Sequence, residues 1–168
     1  MIIMSIVKFH HRCGYCNARD ALKITYFEID HFIPKDILTI YKDTDYCNLV
    51  YACRSCNNSK RKHWPTNDEK ISHNGVEGWI DPCDQDYNRQ FGREENGEIK
   101  PITELGEWMY THLKLYKPQH AILWNIEQLD NMINELEVLI DDQDIALKEE
   151  LLNLYREYRA YIKLFERL

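Results

Sequence analysis

Three observations predict a small α+β fold: a two-stranded sheet with one short helix, clamped by metal and followed by an α-helical hairpin. Two CxxC pairs bracket a strand-like stretch, a second apolar run leads directly into the second pair, and the hydrophobic period turns helical beyond residue 101. The chain of 168 residues is long enough to bury a core without disulfide staples. With 44% hydrophobic and 29% charged residues, it is not a largely disordered chain.

Six cysteines stand at positions 13, 16, 47, 53, 56 and 83. Cys13/Cys16 and Cys53/Cys56 form the CxxC pairs, with thirty-six residues between Cys16 and Cys53. Each CxxC turn presents two thiolates to one ion, and two turns complete the tetrahedral shell that Zn²⁺ takes in closed structural sites. In a reducing compartment this reading outranks redox dithiols or free thiols. Cys47 and Cys83 have no paired partner in the pattern and are read as small buried hydrophobes.

Residues 24–32, ITYFEIDHF, are β-branched and aromatic and suit a strand; residues 48–52, NLVYA, suit a second. Residues 53–63, CRSCNNSKRKH, hold neither Gly nor Pro and suit a short helix that stops before Pro65. Two strands and one short helix have little core of their own, so the zinc ion is expected to build the domain rather than to catalyse.

In this order, CGYC, EIDHFIPKD and NLVYACRSCNNSK resemble the HNH endonuclease family, in its zinc-stabilised branch, over about residues 13–62. The resemblance implies a ββα-metal core that holds one divalent cation, Mg²⁺ or Mn²⁺, and hydrolyses phosphodiester bonds in nucleic acid, most readily DNA. His31 falls on the family's general base, Asp30 on a metal ligand, Asn48 on the central Asn and Asn57 on the last motif position, which is often His in the family. The chemistry agrees. A phosphodiester needs a neutral-range base to deprotonate water and a cation to neutralise the leaving oxygen, and His31 is the neutral-range base of the motif. Asp30 and the amide oxygen of Asn57 are hard ligands of the kind Mg²⁺ accepts. Asn48 is expected to tie the inter-strand loop. Lys60, Arg61, Lys62 and Arg54 form a basic cluster suited to phosphate oxygens, Lys60 occupying the Lys of CNxxK.

Blander roles compete at several positions. Asn57 also fits a helix cap, with Asn58 or His63 then taking the ligand role. His10 and His11 read as surface groups beside the first knuckle, Asp81, Asp84 and Asp86 as turn carboxylates, and the KRK run as a solvated face.

Charge divides the chain. Residues 1–65 hold ten Lys/Arg against six Asp/Glu, whereas residues 66–168 hold eleven against twenty-two, for a total of −7. A basic front fits phosphate contact; an acidic back fits a basic partner or repulsion of nucleic acid. No apolar run approaches the ~20 residues of a membrane span, and the apolar start is too short and too soon polar for a secretory leader, so a cytoplasmic protein with no membrane is expected.

Residues 66–101 are Gly- and Pro-punctuated and read as an irregular flap in which Trp79, Ile80, Phe91 and Ile99 pack over the sheet. From there the chain turns helical: residues 102–116 form one candidate helix. Ile122, Ile126, Leu129, Ile133, Leu136 and Ile140 form one stripe, and Leu151, Tyr155, Tyr158, Ile162 and Phe165 form the second, across an acidic turn at 141–144. The hairpin either finishes the core or docks a protein, since Trp124, Tyr155, Tyr158 and Tyr161 supply more aromatic surface than one seam needs.

The expected organisation is therefore a nuclease core at 1–65, a flap at 66–101 and assembly helices at 102–168. Small HNH proteins of this kind resemble the nuclease subunits of bacterial anti-phage systems that work beside an ATPase, which the C-terminal helices would dock; self-association is left open. The competing class is a non-catalytic zinc module that binds nucleic acid or protein.

Overall fold

The computed structural model describes residues 2–20, 26–141 and 144–168, with side chains from residue 5 onward. Its opening helix, α1 (Ile2–Lys8), has no counterpart in the sequence reading, because seven residues dominated by Ile and Met carry no visible helical period. The first knuckle follows at Cys13–Cys16.

Strand β1 (Phe27–His31) pairs antiparallel with β2 (Leu49–Cys53), setting Asp30 opposite Val50 and His31 opposite Leu49. The first strand is shorter than expected, and positions 24 and 25 of that expectation lie outside the described residues. Asn48 closes a 3₁₀ turn, Tyr46–Asn48, instead of opening β2. All five residues of β2 are buried, since α1 and the helix α2 (Arg54–Lys60) both pack against this strand. The α2 helix stops at Arg61, whose φ of 48° places it in the left-handed region, well before Pro65.

The segment expected to be irregular contains a second hairpin, β3 (Phe91–Arg93) with β4 (Ile99–Pro101). Three-residue strands are too short to register as an alternating pattern, although the Asn-Gly at its turn is the usual hairpin signal. Gly97 there has φ of +85°, and a Cβ would lie 2.9 Å from the carbonyl of Ala121, so glycine is required both by backbone and by close approach.

Helix α3 (Glu104–Leu113) is capped by Thr103, whose hydroxyl accepts from the Gly106 amide at 2.9 Å. Helix α4 (Pro118–Leu139) starts on a proline, and α5 (Ile145–Phe165) starts on Asp144, which accepts from the Leu147 amide. These two form the expected antiparallel pair; positions 142 and 143 of the acidic turn lie outside the described residues.

A single core takes in the four knuckle cysteines, Phe32 and Val50 of the sheet region, Trp64, Trp79, Ile80 and Ile99 of the middle segment, and Met109, Leu113 and Leu115. Trp79 is fully buried, with its indole N–H donated to the His63 carbonyl at 2.7 Å. Against expectation, Cys47 and Cys83 are exposed, because both stand on turns outside this core. Trp124 is not surplus aromatic surface either: the guanidinium of Arg93 lies over its ring, 5.9 Å from the centroid.

Helix α4 is bonded to both knuckles. The Arg12 guanidinium pairs with buried Glu127 through both nitrogens, and Gln119 donates to Ser55 Oγ at 2.6 Å. Helix α5 packs chiefly against α4 and buries no residue completely.

The loop between β1 and β2 is tied at two points. Asn48 Oδ1 accepts from the Ile33 amide at 2.7 Å while its Nδ2 donates to the Ile33 carbonyl. Farther along, the Glu69 carboxylate accepts from the amides of Thr39, Ile40 and Tyr41, each at 2.8 Å, and from the Thr39 hydroxyl. Burial alone would raise the Glu69 carboxyl; these hydrogen bonds outweigh it and hold the group at about 2, below the ordinary 4.5. A depressed carboxyl stabilises the fold fully above pH 4.5, and that contribution is lost as pH falls toward 2. Glu69→Gln is therefore expected to lower the urea midpoint of the zinc-loaded protein at pH 7; an unchanged midpoint contradicts this.

Candidate metal and nucleic-acid site

Two groups of side chains meet on this scaffold. The first is the four-sulfur cluster: Cys13, Cys16, Cys53 and Cys56 are all buried, with their sulfurs within 4.8 Å of one another. Cys16 and Cys53 sulfurs stand 3.7 Å apart, the edge of about 3.8 Å that a tetrahedron with ~2.3 Å Zn–S bonds requires, and far from the ~2.05 Å of a disulfide. Thiols so crowded cannot all ionise by themselves. Hydrogen bonds from Cys13, Cys16 and Cys56 push Cys53 far down, while sharing with its neighbours pushes Cys16 and Cys56 well up. A dication resolves this frustration by taking four thiolates at once, so the donor set fits structural zinc.

The second group lies on β1 and α2. Strand alternation puts Glu28 and Asp30 on one face and His31 on the other, at the strand's last position. Asp30 is buried, and its Oδ2 accepts from the Tyr15 hydroxyl at 2.5 Å and from the Lys60 ammonium at 3.0 Å. Both contacts fall on Oδ2. Burial first, then the adjacent carboxylate, push the Tyr15 hydroxyl well above its usual range, so it stays a donor.

Lys60 departs from the sequence reading. Its side chain has no exposed surface, and Nζ contacts Asp30 and the His31 carbonyl at 3.1 Å, so it is not one of a surface cluster of phosphate-binding cations. The reason is helical geometry: position 60 is on the face of α2 that covers the sheet, and its ammonium meets the Asp30 carboxylate there. Burial lowers the Lys60 ammonium, an effect that Asp30 opposes.

Arg54, Arg61 and Lys62 are exposed. The Arg54 Nε stands 3.9 Å from Glu28 Oε1, Arg61 bonds to the Asn58 carbonyl, and Lys62 pairs with Asp36 at 3.0 Å. Asn57 is half-buried, with Nδ2 donating to Glu28 Oε2 at 2.7 Å. His31 is half-exposed and its ring makes no hydrogen bond among the described residues. Asp43, in the following loop, is held low mainly by Lys35, with His31 adding a smaller electrostatic pull.

His63, the alternative ligand, is engaged elsewhere: its ring stacks 5.0 Å from His112, which in turn stacks 3.8 Å from Trp108. His11 is exposed beside Asp20. Two members of the site escaped the sequence reading. Tyr15 lies inside the CGYC knuckle, where it looks like filler, and Glu28 is marked only by its i, i+2 spacing from Asp30.

Asp30 carries carboxylate oxygens and Asn57 an amide oxygen, atoms of the hard-donor kind and unlike the thiolates of the knuckles. Among the described residues, no helix is long and apolar enough to cross a membrane. No curated protein and no solved structure matches the chain. The model of the HNH endonuclease family, a family of nucleases that use divalent metals and act on nucleic acid, matches residues 13–63, the stretch that holds both knuckles, β1, β2 and α2. The match spans 51 of the chain's 168 residues.

Proposed function

We propose that this chain is a metal-dependent endonuclease that hydrolyses phosphodiester bonds, in DNA by preference. The observation that carries this reading is the state of Asp30: a buried carboxylate fixed by two donors on one oxygen, followed in the strand by a half-exposed imidazole that makes no hydrogen bond among the described residues. His31 takes the proton from the attacking water. Asp30 and Asn57 hold Mg²⁺ or Mn²⁺, which when bound supplies positive charge to the phosphate and its leaving oxygen. Asn48 keeps the loop after His31 in place, Tyr15 and Lys60 fix Asp30, and exposed Arg54, Arg61 and Lys62 meet flanking phosphates.

The test is cleavage of supercoiled plasmid by zinc-loaded protein. Cutting is expected with added Mg²⁺ or Mn²⁺ and none with zinc alone; cutting that needs no second metal overturns the reading.

One observation favours the non-catalytic zinc module: Asp30 already has a resident cation in Lys60. Lys60→Met separates the two. Leaving the buried carboxylate uncompensated is expected to cost about 3–5 kcal/mol in urea unfolding. If Asp30 is a metal ligand, Mn²⁺ recovers more stability in this variant than in the parent protein; no recovery favours the module.

The C-terminal pair serves as a docking element on this reading, since α5 buries no residue completely and shows Leu152 and Tyr155 to solvent. Its partner in an anti-phage assembly would be an ATPase subunit. Co-purification of that subunit with the full chain, lost when α5 is removed, tests it.

A further inference from the structure

The geometry points to Glu28 as the residue that decides which end of the Asn57 amide faces the cation, and therefore whether this asparagine-type site binds a divalent ion. The inference rests on the reading of Asp30 and Asn57 as the cation's ligands.

A carboxamide has two unlike ends. Its oxygen can ligate Mg²⁺ or Mn²⁺; its NH₂ group, two donors with no acceptor, repels them. The two ends have nearly the same shape, so packing alone does not choose between them. A carboxylate does choose, because it only accepts. Glu28 Oε2 lies 2.7 Å from Asn57 Nδ2, which commits the NH₂ group to Glu28 and turns Oδ1 away from it. Glu28 shares its strand face with Asp30, two residues on, and that face is the one α2 covers, as the Lys60 contact to Asp30 shows. The amide is thus held by one carboxylate of this face while its oxygen is left for the site of the other.

Glu28 is itself held. Its second oxygen faces the Arg54 guanidinium at 3.9 Å, and the Arg54 guanidinium also lies over the Tyr26 ring. With an exposed arginine on one oxygen and the ligand amide on the other, Glu28 links a phosphate-contacting position to the orientation of a cation ligand. Its role is positioning: it touches neither substrate nor ion.

The test is a double-mutant cycle on the zinc-loaded full chain, read as Mn²⁺ affinity by electron paramagnetic resonance, with zinc content and melting temperature as controls. Glu28→Ala is expected to weaken Mn²⁺ binding by about tenfold or more, in the range found for residues that orient metal ligands. An aspartate at 57 offers an oxygen whichever way up it lies, so it needs no orienter. In the Asn57→Asp background, Glu28→Ala is therefore expected to change affinity by less than about twofold. Equal losses in both backgrounds would mean that Glu28 acts only as a negative charge at a distance, and the proposal falls. Normal Mn²⁺ binding by Glu28→Ala overturns the role of Glu28 alone. Parent protein that binds no Mn²⁺, with or without DNA, overturns the cation site beneath it.

Discussion

Replacement of His31 by alanine is expected to abolish nicking of supercoiled plasmid in Mn²⁺, with a rate loss of about 10²–10⁴, the usual contribution of a positioned general base. The fold should persist, for reasons visible around the residue. His31 is held in β1 by its backbone, paired with Leu49, and its carbonyl accepts from Lys60; neither contact uses the imidazole. The ring makes no hydrogen bond among the described residues, so alanine leaves no buried polar group behind. A variant that retains zinc and melts within a few degrees of the parent but does not cut places the loss in the chemistry. Cutting at the parental rate would remove His31 as the base.

The larger structural effect is expected from the sulfur cluster. Binding of structural zinc is worth about 10–16 kcal/mol at neutral pH in small domains, comparable to or larger than the ~5–15 kcal/mol by which a whole domain is stable. The four cysteines lie in the middle of the core, with Val50, Trp79 and Tyr87, so they do not staple a rim that could fray alone. Stripping zinc with a strong chelator, or Cys53→Ala, is expected to abolish the cooperative melt of the region that includes β1, β2 and α2. Elemental analysis should give one zinc per chain. Zinc-free protein that melts at the parental temperature would mean that the cluster does not build the fold. Cys47→Ser and Cys83→Ser, at exposed positions, should leave the melt unchanged.

What the sequence discloses best is chemistry set by short spacing. Both CxxC turns are local, and only their meeting is a matter of fold, so the four cysteines that cluster could be read directly. The heptad-like stripes of α4 and α5 were legible because twenty-residue helices repeat their pattern several times. Lys60 was misread for the opposite reason. A lysine in a KRK run looks solvated, and nothing local announces that the carboxylate opposite is buried and close enough to draw it in. Cys47 and Cys83 were misjudged because burial of a lone cysteine depends on where its turn lands. Glu28 and Tyr15 act on residues 29 and 15 positions away, through pairings that exist only once the knuckle, strand and helix have met.

The bonds from α4 to Arg12 and Ser55 have a mechanical corollary. One helix is fastened beside each of the two turns that carry the clustered cysteines, and it continues outward past its last buried residue, Ile133. A pull on the outer part of that helix would therefore reach the cysteine cluster through Arg12 and Ser55.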